Sequence, residues 1–265
     1  YMRATNKRVG MDVNMSERLI TMLELIRLHR SMSVVDLSQR FEVSEETIRR
    51  DIRQLETTGR VVKVHGGVRL STSTLEPPYQ GRVSLNAAAK KEVGEKATEL
   101  VEDGMTVFID CGSTSYWFSR MLTKPKKLLV VTNSLDVANE VIGRDDWRLA
   151  FTGGQIDPDY RAAFGREAII QARQFTPDLL FLSIGGIHSD IGLLDFSIDE
   201  ANFKRSLLDR ARRKVVLTDS SKFSGAGSVH LADFDQIDTI VCDKPPEDPL
   251  KSALDNAQVE VICSR

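Results

Sequence analysis

Residues able to do chemistry gather in two places in this chain of 265 residues. The first is a cationic run, Thr47-Ile48-Arg49-Arg50-Asp51-Ile52-Arg53-Gln54. On a helix, Ile48, Ile52 and Leu55 stand at i, i+4 and i+7 and face a core, which leaves Thr47, Arg49, Arg50, Arg53 and Gln54 outward. Arginines on such a face can bridge guanine O6 and N7 in a major groove, and hydroxyls can contact bases or phosphates. A plainer account is also open: Glu45–Arg49 and Glu46–Arg50 are i,i+4 pairs, worth about 0.2–0.5 kcal/mol each on a solvated helix. The second place is a series of small polar segments: Asp110-Cys111-Gly112-Ser113-Thr114, Thr132-Asn133-Ser134, Thr152-Gly153-Gly154, Gly185-Gly186 and Asp219-Ser220-Ser221-Lys222. Glycines admit close backbone approach, and hydroxyls at a helix N-terminus hold anions. Together these suit a phosphate and a polyol; singly, each is also ordinary turn chemistry. Glu200 and Lys204, one turn apart, are either an ordinary ion pair or ligand groups.

The elements that must position the first group are short. Leu19, Met22, Leu23 and Ile26 give one apolar face to a helix from about Ser16 to His29. Ser33 starts a second helix, with Asp36 as capping-box partner and Val34, Leu37 and Phe41 as anchors. Only Glu42 and Val43 then separate Phe41 from Ser44, the N-cap of the cationic helix, and Val43 and Ile48 are spaced as a hydrophobic staple. Gly59 stops that helix. Val61, Val62 and Val64, then Gly66-Gly67, then Val68 and Leu70 predict a two-strand hairpin decorated by Lys63, His65 and Arg69. A tight turn into a basic helix followed by a wing is a winged helix-turn-helix, whose second helix enters the major groove. The expected DNA-facing set is Ser33, Ser44, Thr47, Arg49, Arg50, Arg53, Lys63 and His65, with His65 as open to a structural role as to a phosphate contact.

Residues 71–85 are polar, carry Pro77-Pro78 and lack periodicity, so they are expected to be a linker between a head at 16–70 and a body at 86–265; residues 1–15 are expected to be a flexible tail. In the body, apolar runs near 106–110, 128–132, 148–152, 179–184, 214–219, 238–242 and 259–263 predict strands. They alternate with helical stretches near 114–122, 134–142, 166–174, 199–212 and 249–257. That alternation predicts a mostly parallel sheet covered on both faces, with ligands beyond the carboxyl ends of its strands.

Composition narrows the function classes. Residues 1–75 hold 13 basic and 9 acidic residues, and the remainder 23 and 29, so a basic head precedes an acidic body, as suits a polyanion-binding module. The apolar runs are too short to span a bilayer, and no N-terminal charged-then-apolar stretch is present. Cys111, Cys242 and Cys263 make neither a disulfide framework nor a zinc pattern, which is the expectation for a reducing cytoplasm with no metal and no cofactor.

The run Thr47 to Ile52, then Leu55-Glu56 and His65-Gly66-Gly67, resembles the DNA-binding signature of the deoxyribose-operon repressor (DeoR) family. Asp110 through Thr114, Thr132-Asn133-Ser134, Gly153-Gly154, Gly185-Gly186 and Asp219 through Phe223 resemble that family's effector domain. The resemblance implies a winged helix with Arg49 and Arg50 in the recognition helix. It also implies a body like ribose-phosphate isomerases and coenzyme A transferases that senses phosphorylated sugars or polyols. Leu194-Asp195-Phe196-Ser197 departs from the Thr-containing stretch expected after Gly192, so the ligand stays open.

The resulting expectation is a sequence-specific transcriptional regulator, a repressor of a sugar or polyol catabolic operon. It would bind double-stranded operator DNA as a dimer or tetramer and be controlled by a phosphorylated effector at Asp110, Gly112, Ser113, Thr114, Thr132, Asn133, Ser134, Gly153, Gly154, Gly185, Gly186, Glu200, Lys204 and Lys222, with no catalytic residue. Two alternatives are a sugar-phosphate isomerase with a DNA-binding head, using Glu200 or Asp110 with Lys204 or Lys222, and a co-regulator acting through protein contacts.

Overall fold

The structure is a computed structural model that describes residues 17–29, 31–56, 61–70, 76, 79–223 and 227–264. The expected tail at 1–15 and the helix stop at Gly59 lie outside the described residues. The chain forms two compact units, Tyr1–Ser71 and Thr72–Arg265.

In the first unit, α1 (Glu17–His29) is followed by β1 (Ser31–Ser33), α2 (Val34–Phe41), α3 (Glu45–Glu56), β2 (Val61–Val64) and β3 (Gly67–Leu70). Leu19, Met22, Leu23 and Ile26 pack with Val34, Leu37, Ile48, Ile52, Leu55, Val61 and Val68 in one buried cluster, as a stripe at helical spacing requires. The Ser33 hydroxyl accepts from the Asp36 amide at 3.0 Å and so caps α2. β1 is an addition to the expected hairpin: it pairs antiparallel with β3, making a three-stranded wing. Three residues are too few to show an alternation in sequence. The pairing explains Gly67, where a Cβ would lie 2.4 Å from the Met32 carbonyl oxygen, and Gly66 takes φ +74° at the tip.

The second unit opens with α4 (Tyr79–Ser84) and α5 (Ala87–Ala97), then β4 (Thr106–Ile109), α6 (Ser113–Met121), β5 (Leu129–Thr132), α7 (Leu135–Val141) and β6 (Arg148–Phe151). There follow β7 (Gln155–Asp157), β8 (Ala162–Phe164), α8 (Gly165–Ala172), β9 (Leu179–Ser183), β10 (Gly186–His188), β11 (Gly192–Asp195) and α9 (Ile198–Arg205). The chain ends with β12 (Arg213–Thr218), β13 (Val229–Ala232), β14 (Thr239–Cys242), α10 (Leu250–Asn256) and β15 (Glu260–Cys263).

Seven of these strands form one parallel sheet in the order β15-β14-β12-β9-β4-β5-β6. Both faces are apolar, which is why the strands read as continuous apolar runs. Val107, Ile109, Phe181, Val215 and Leu217 point with α5, α6 and α7 into one core. Phe108, Leu180 and Leu182 alternate to the other face with Ala168 and Phe203, and Val216 joins Ile240 and Leu250 there. No helix among the described residues is long and apolar enough to cross a membrane.

Three expectations need correction. Within 71–85, expected to be linker, Tyr79–Ser84 is helical, and Tyr79, Arg82 and Leu85 are buried in the second unit. The helix expected over 199–212 stops at Arg205; Leu207, Leu208 and Arg210 each donate to the carbonyl three residues back, so the chain tightens into successive turns. No strand is expected between 184 and 199, yet Gly186–His188 and Gly192–Asp195 are strands β10 and β11 of a small antiparallel sheet with β13.

Candidate functional site

On the head, the turn before α3 is closed by Glu42 in a left-handed conformation (φ 53°), and the Val43 amide donates to the Ser38 carbonyl at 3.1 Å. Ser44 caps α3 by accepting from the Thr47 amide at 3.2 Å, and Val43 and Ile48 share the head's core. Arg49, Arg50 and Arg53 are exposed on the outer side. Arg49 donates to Glu45 at 2.7 Å, the expected pair. Glu46 does not pair with Arg50, as the spacing suggested; it reaches Arg53 at 3.0 Å, two turns along the same face. Arg50 makes no hydrogen bond or ion pair with a described residue. Asp51 is buried and accepts from Arg18 Nε at 2.7 Å, tying α1 to α3 inside the arginine-bearing stretch. Lys63, His65 and Arg69 are exposed along the wing.

In the body, the chain runs from β4 outward to β5 and β6, then returns to place β9 on β4's other side and continues to β12, β14 and β15. The order therefore reverses between β4 and β9, and a crevice forms at the carboxyl ends where adjacent connections diverge. Asp110–Thr114 and Ser183–Gly186 lie at that point. Unoccupied donors here belong to α6: the amides and hydroxyls of Ser113 and Thr114 make no hydrogen bond to a described residue. The next amide, that of Ser115, donates to the Ser183 hydroxyl at 3.0 Å. A helix N-terminus with free amides beside hydroxyls is an anion cradle.

Beneath it lies a fully buried charge cluster. Lys204 Nζ donates to the Ser183 carbonyl at 2.7 Å, Glu200 at 2.8 Å and Asp195 at 3.0 Å, and lies 3.5 Å from Asp110. Asp110 also accepts from the Ser183 amide at 2.9 Å and from the Ser115 hydroxyl. Burial pushes the Asp110 and Glu200 carboxyls up, Glu200 well above the usual range, although Lys204 opposes it. Burial lowers Lys204, but Asp195, Glu200 and Asp110 outweigh it and hold the ammonium charged. Beside β12, Asp219 accepts from Asn86 at 2.9 Å and from the Ser221 amide at 3.1 Å. Burial raises that carboxyl too, yet Lys90, Ser221, Lys222 and Asn86 together bring it below its ordinary value.

The other expected effector residues fall into two kinds. Thr132 and Ser134 are spent locally: the Thr132 hydroxyl accepts from the Ser134 amide at 3.0 Å, and Ser134 caps α7. Asn133 keeps its side-chain oxygen buried and unpaired, a free acceptor near the crevice. Gly153 and Gly154 serve packing: the Gly153 amide donates to Gln171 at 2.9 Å, and Gly154 takes φ +140° with its Cβ position 2.8 Å from the Phe164 carbonyl. The Gly185 amide donates to Asp195 at 3.0 Å, and Gly186 pairs with Leu194. Gly112 approaches Ser183 rather than open space, with its Cβ position 2.4 Å from the Ser183 side chain. Gly112→Ala is expected to destabilise the second unit by about 1–3 kcal/mol through overpacking, measured by urea denaturation.

Residues 18–74 match the DeoR-like helix-turn-helix domain, and residues 85–244 match the DeoR C terminal sensor domain. The chain belongs to the DeoR family. It is 29% identical over 239 residues to the glycerol-3-phosphate regulon repressor of Escherichia coli (strain K12), covering 90% of this chain and 95% of that one. It is 30% identical over 241 residues to the HTH-type transcriptional repressor CsqR of the same organism, covering 91% and 92%. Among solved structures, ribose 5 phosphate isomerase A from Neisseria gonorrhoeae is similar over 54% of each chain at 16% identity, with a TM-score of 0.38. The chain is thus a DNA-binding transcriptional regulator with a sensor domain, and these curated relatives are regulators rather than enzymes.

Sequence reasoning missed Asp195 as a partner of Lys204, because only the β10–β11 hairpin brings it there. It also missed Ser115 and Ser183, and it missed Arg82, since 71–85 reads as linker.

Proposed function

We propose that this DeoR-family member represses a sugar or polyol catabolic operon, and that a phosphorylated sugar or polyol bound at the β4–β9 crevice changes its operator affinity. The observation that carries the reading is the N-terminus of α6, where the free amides and hydroxyls of Ser113 and Thr114 open at the switch point of the sheet. In this reading Ser113 and Thr114 hold the phosphate, with Asp110, Gly112, Asn133 and Lys222 around them. Glu200 and Lys204 act from beneath, because all three Lys204 donors are engaged within the chain. Thr132, Ser134, Gly153, Gly154, Gly185 and Gly186 shape the loops. On the head, Thr47, Arg49, Arg50, Arg53, Lys63 and His65 meet DNA, while Ser33 and Ser44 hold the helices that present them.

The protein acts in the cytoplasm as a homo-oligomer, since one winged helix makes a small interface and repeated half-sites multiply specificity. A relative named for the glycerol-3-phosphate regulon directs the first choice of ligand. A thermal-shift screen of sugar and polyol phosphates, glycerol 3-phosphate first, is expected to give a hit that raises the melting temperature in a concentration-dependent way. Thr114→Val is expected to weaken that hit about tenfold, a lost charge-assisted hydrogen bond. Absence of any stabilising phosphorylated compound would remove the sensing half of the reading.

A further inference from the structure

Glu76 and Arg82 form a buried ion pair at the start of the second unit, Glu76 Oε1 lying 2.6 Å from Arg82 Nη1. Their side chains are 8% and 10% exposed. The pair is half made. A guanidinium and a carboxylate can join through two parallel hydrogen bonds, but Arg82 Nε and Glu76 Oε2 are both buried with no partner, as is the Tyr79 hydroxyl beside them. The Arg82 guanidinium lies 5.4 Å from the ring centres of both Tyr79 and Tyr160.

Arg82 also interacts through its charge with groups near the strand ends. Burial lowers the Arg82 pKa, but Glu76 and then Glu200 outweigh it, and Cys111 at the end of β4 also feels the charge. Lys90 donates to the Arg82 carbonyl at 2.5 Å and, through its charge, lowers the Asp219 carboxyl. The Trp117 indole of α6 donates to the Val83 carbonyl at 3.0 Å, so α4, which carries Arg82, packs on the helix that Ser113 and Thr114 open.

A fixed arginine with an empty donor, stacked between tyrosines and satisfied on one edge by a single carboxylate oxygen, is built for a planar or tetrahedral oxyanion. Glu76 supplies only part of what the site can accept.

We propose that Arg82 is a further ligand for the effector's anionic group, beside Ser113 and Thr114, and that Glu76 is an internal stand-in for that anion, displaced when the effector binds. This rests on the reading that the body binds a phosphorylated compound. It adds a second ligand group and a competing carboxylate. Removing the competitor converts a site that is open only part of the time into one always competent, which raises apparent affinity by the inverse of the open fraction.

The test uses the full chain and inorganic phosphate, titrated by calorimetry and thermal shift against chloride at equal ionic strength. Glu76→Gln is expected to bind phosphate about tenfold more tightly than the unsubstituted chain, to melt lower without phosphate and to gain more from it. Arg82→Gln is expected to lose phosphate binding; because it can also destabilise the fold, Glu76→Gln is the deciding variant. If phosphate binds the unsubstituted chain and Glu76→Gln equally well, the stand-in is overturned and effector binding stands. If neither phosphate nor any sugar phosphate binds any form, the effector reading falls and this proposal with it.

Discussion

Lys204→Met will destabilise the second unit by about 3–5 kcal/mol, the range for breaking a buried ion pair by removing one partner. Lys204 is 1% exposed and is the shared cation of Asp195, Glu200 and Asp110, and methionine matches its length without its charge. The remaining carboxyls cannot reach water, so they must take up protons to stay in place. The pH dependence follows with a definite sign. Glu200 and Asp110 are already held above their ordinary values of about 4. A carboxyl raised on folding stabilises fully below its unfolded pKa, and that contribution is lost as pH rises through the folded pKa. Without Lys204 both are raised further, so the deficit of the variant is smaller near pH 5 than near pH 8. Urea denaturation at the two pH values, at unchanged m, reads both predictions. A loss under about 1 kcal/mol at pH 8 would mean that the cluster is not a closed unit. Adding Glu200→Gln to Lys204→Met is expected to recover part of the loss, because it removes one of the stranded acids.

The long-range frame was legible because two-sided burial writes itself into the sequence. Every strand of the seven-stranded sheet is an apolar run, and the alternation of Phe108 against Val107 and Ile109 only assigns faces that are both covered. The small antiparallel pieces were not legible. β1, β7, β8 and β10 have three residues each, too few to show an alternation, and β1 is paired by a partner distant in sequence, Ser33 with Gly67. The glycines of the strand-end loops show how a correct position can carry a different cause. Gly112 and Gly185 stand at the crevice, yet their missing side chains make room for Ser183 and Phe196. Arg82 was hidden by its neighbours: Pro77-Pro78 and surrounding polar residues have the composition of a linker. A signal was present all the same, since Tyr79, Arg82 and Leu85 recur at three-residue spacing and all three are buried. On α3, i,i+4 spacing identified the Glu45–Arg49 pair but not Glu46's partner. Long side chains let Glu46 reach Arg53 across seven positions, a choice that spacing alone does not make.

That choice bears on how α3 reads DNA. Arg50→Ala is expected to weaken operator binding by about 1–3 kcal/mol, or roughly 5–150-fold, as the loss of a bidentate base contact does. Arg50 is exposed and engages no described residue, so the substitution is expected to leave stability within about 0.5 kcal/mol. Arg49 and Arg53 differ because each is held by an acid of the first turn, Glu45 at 2.7 Å and Glu46 at 3.0 Å. Exposed pairs of this kind are worth about 0–1 kcal/mol, so DNA can displace the acids, but part of each contact is offset by the pair that breaks. Arg49→Ala and Arg53→Ala are therefore expected to lose less than Arg50→Ala. Glu46→Gln is expected to tighten binding, most at low salt, by freeing Arg53 and removing a negative charge from the face that meets phosphates. Gel shifts on an operator and its single-base variants, repeated across salt, separate the roles. A base-reading arginine relaxes preference at one position when removed, whereas a phosphate-binding one weakens all sequences alike and lowers the salt slope by about 1. Unchanged affinity in Arg50→Ala would take that side chain out of the interface and pass the reading of bases to Thr47, Arg49 and Arg53.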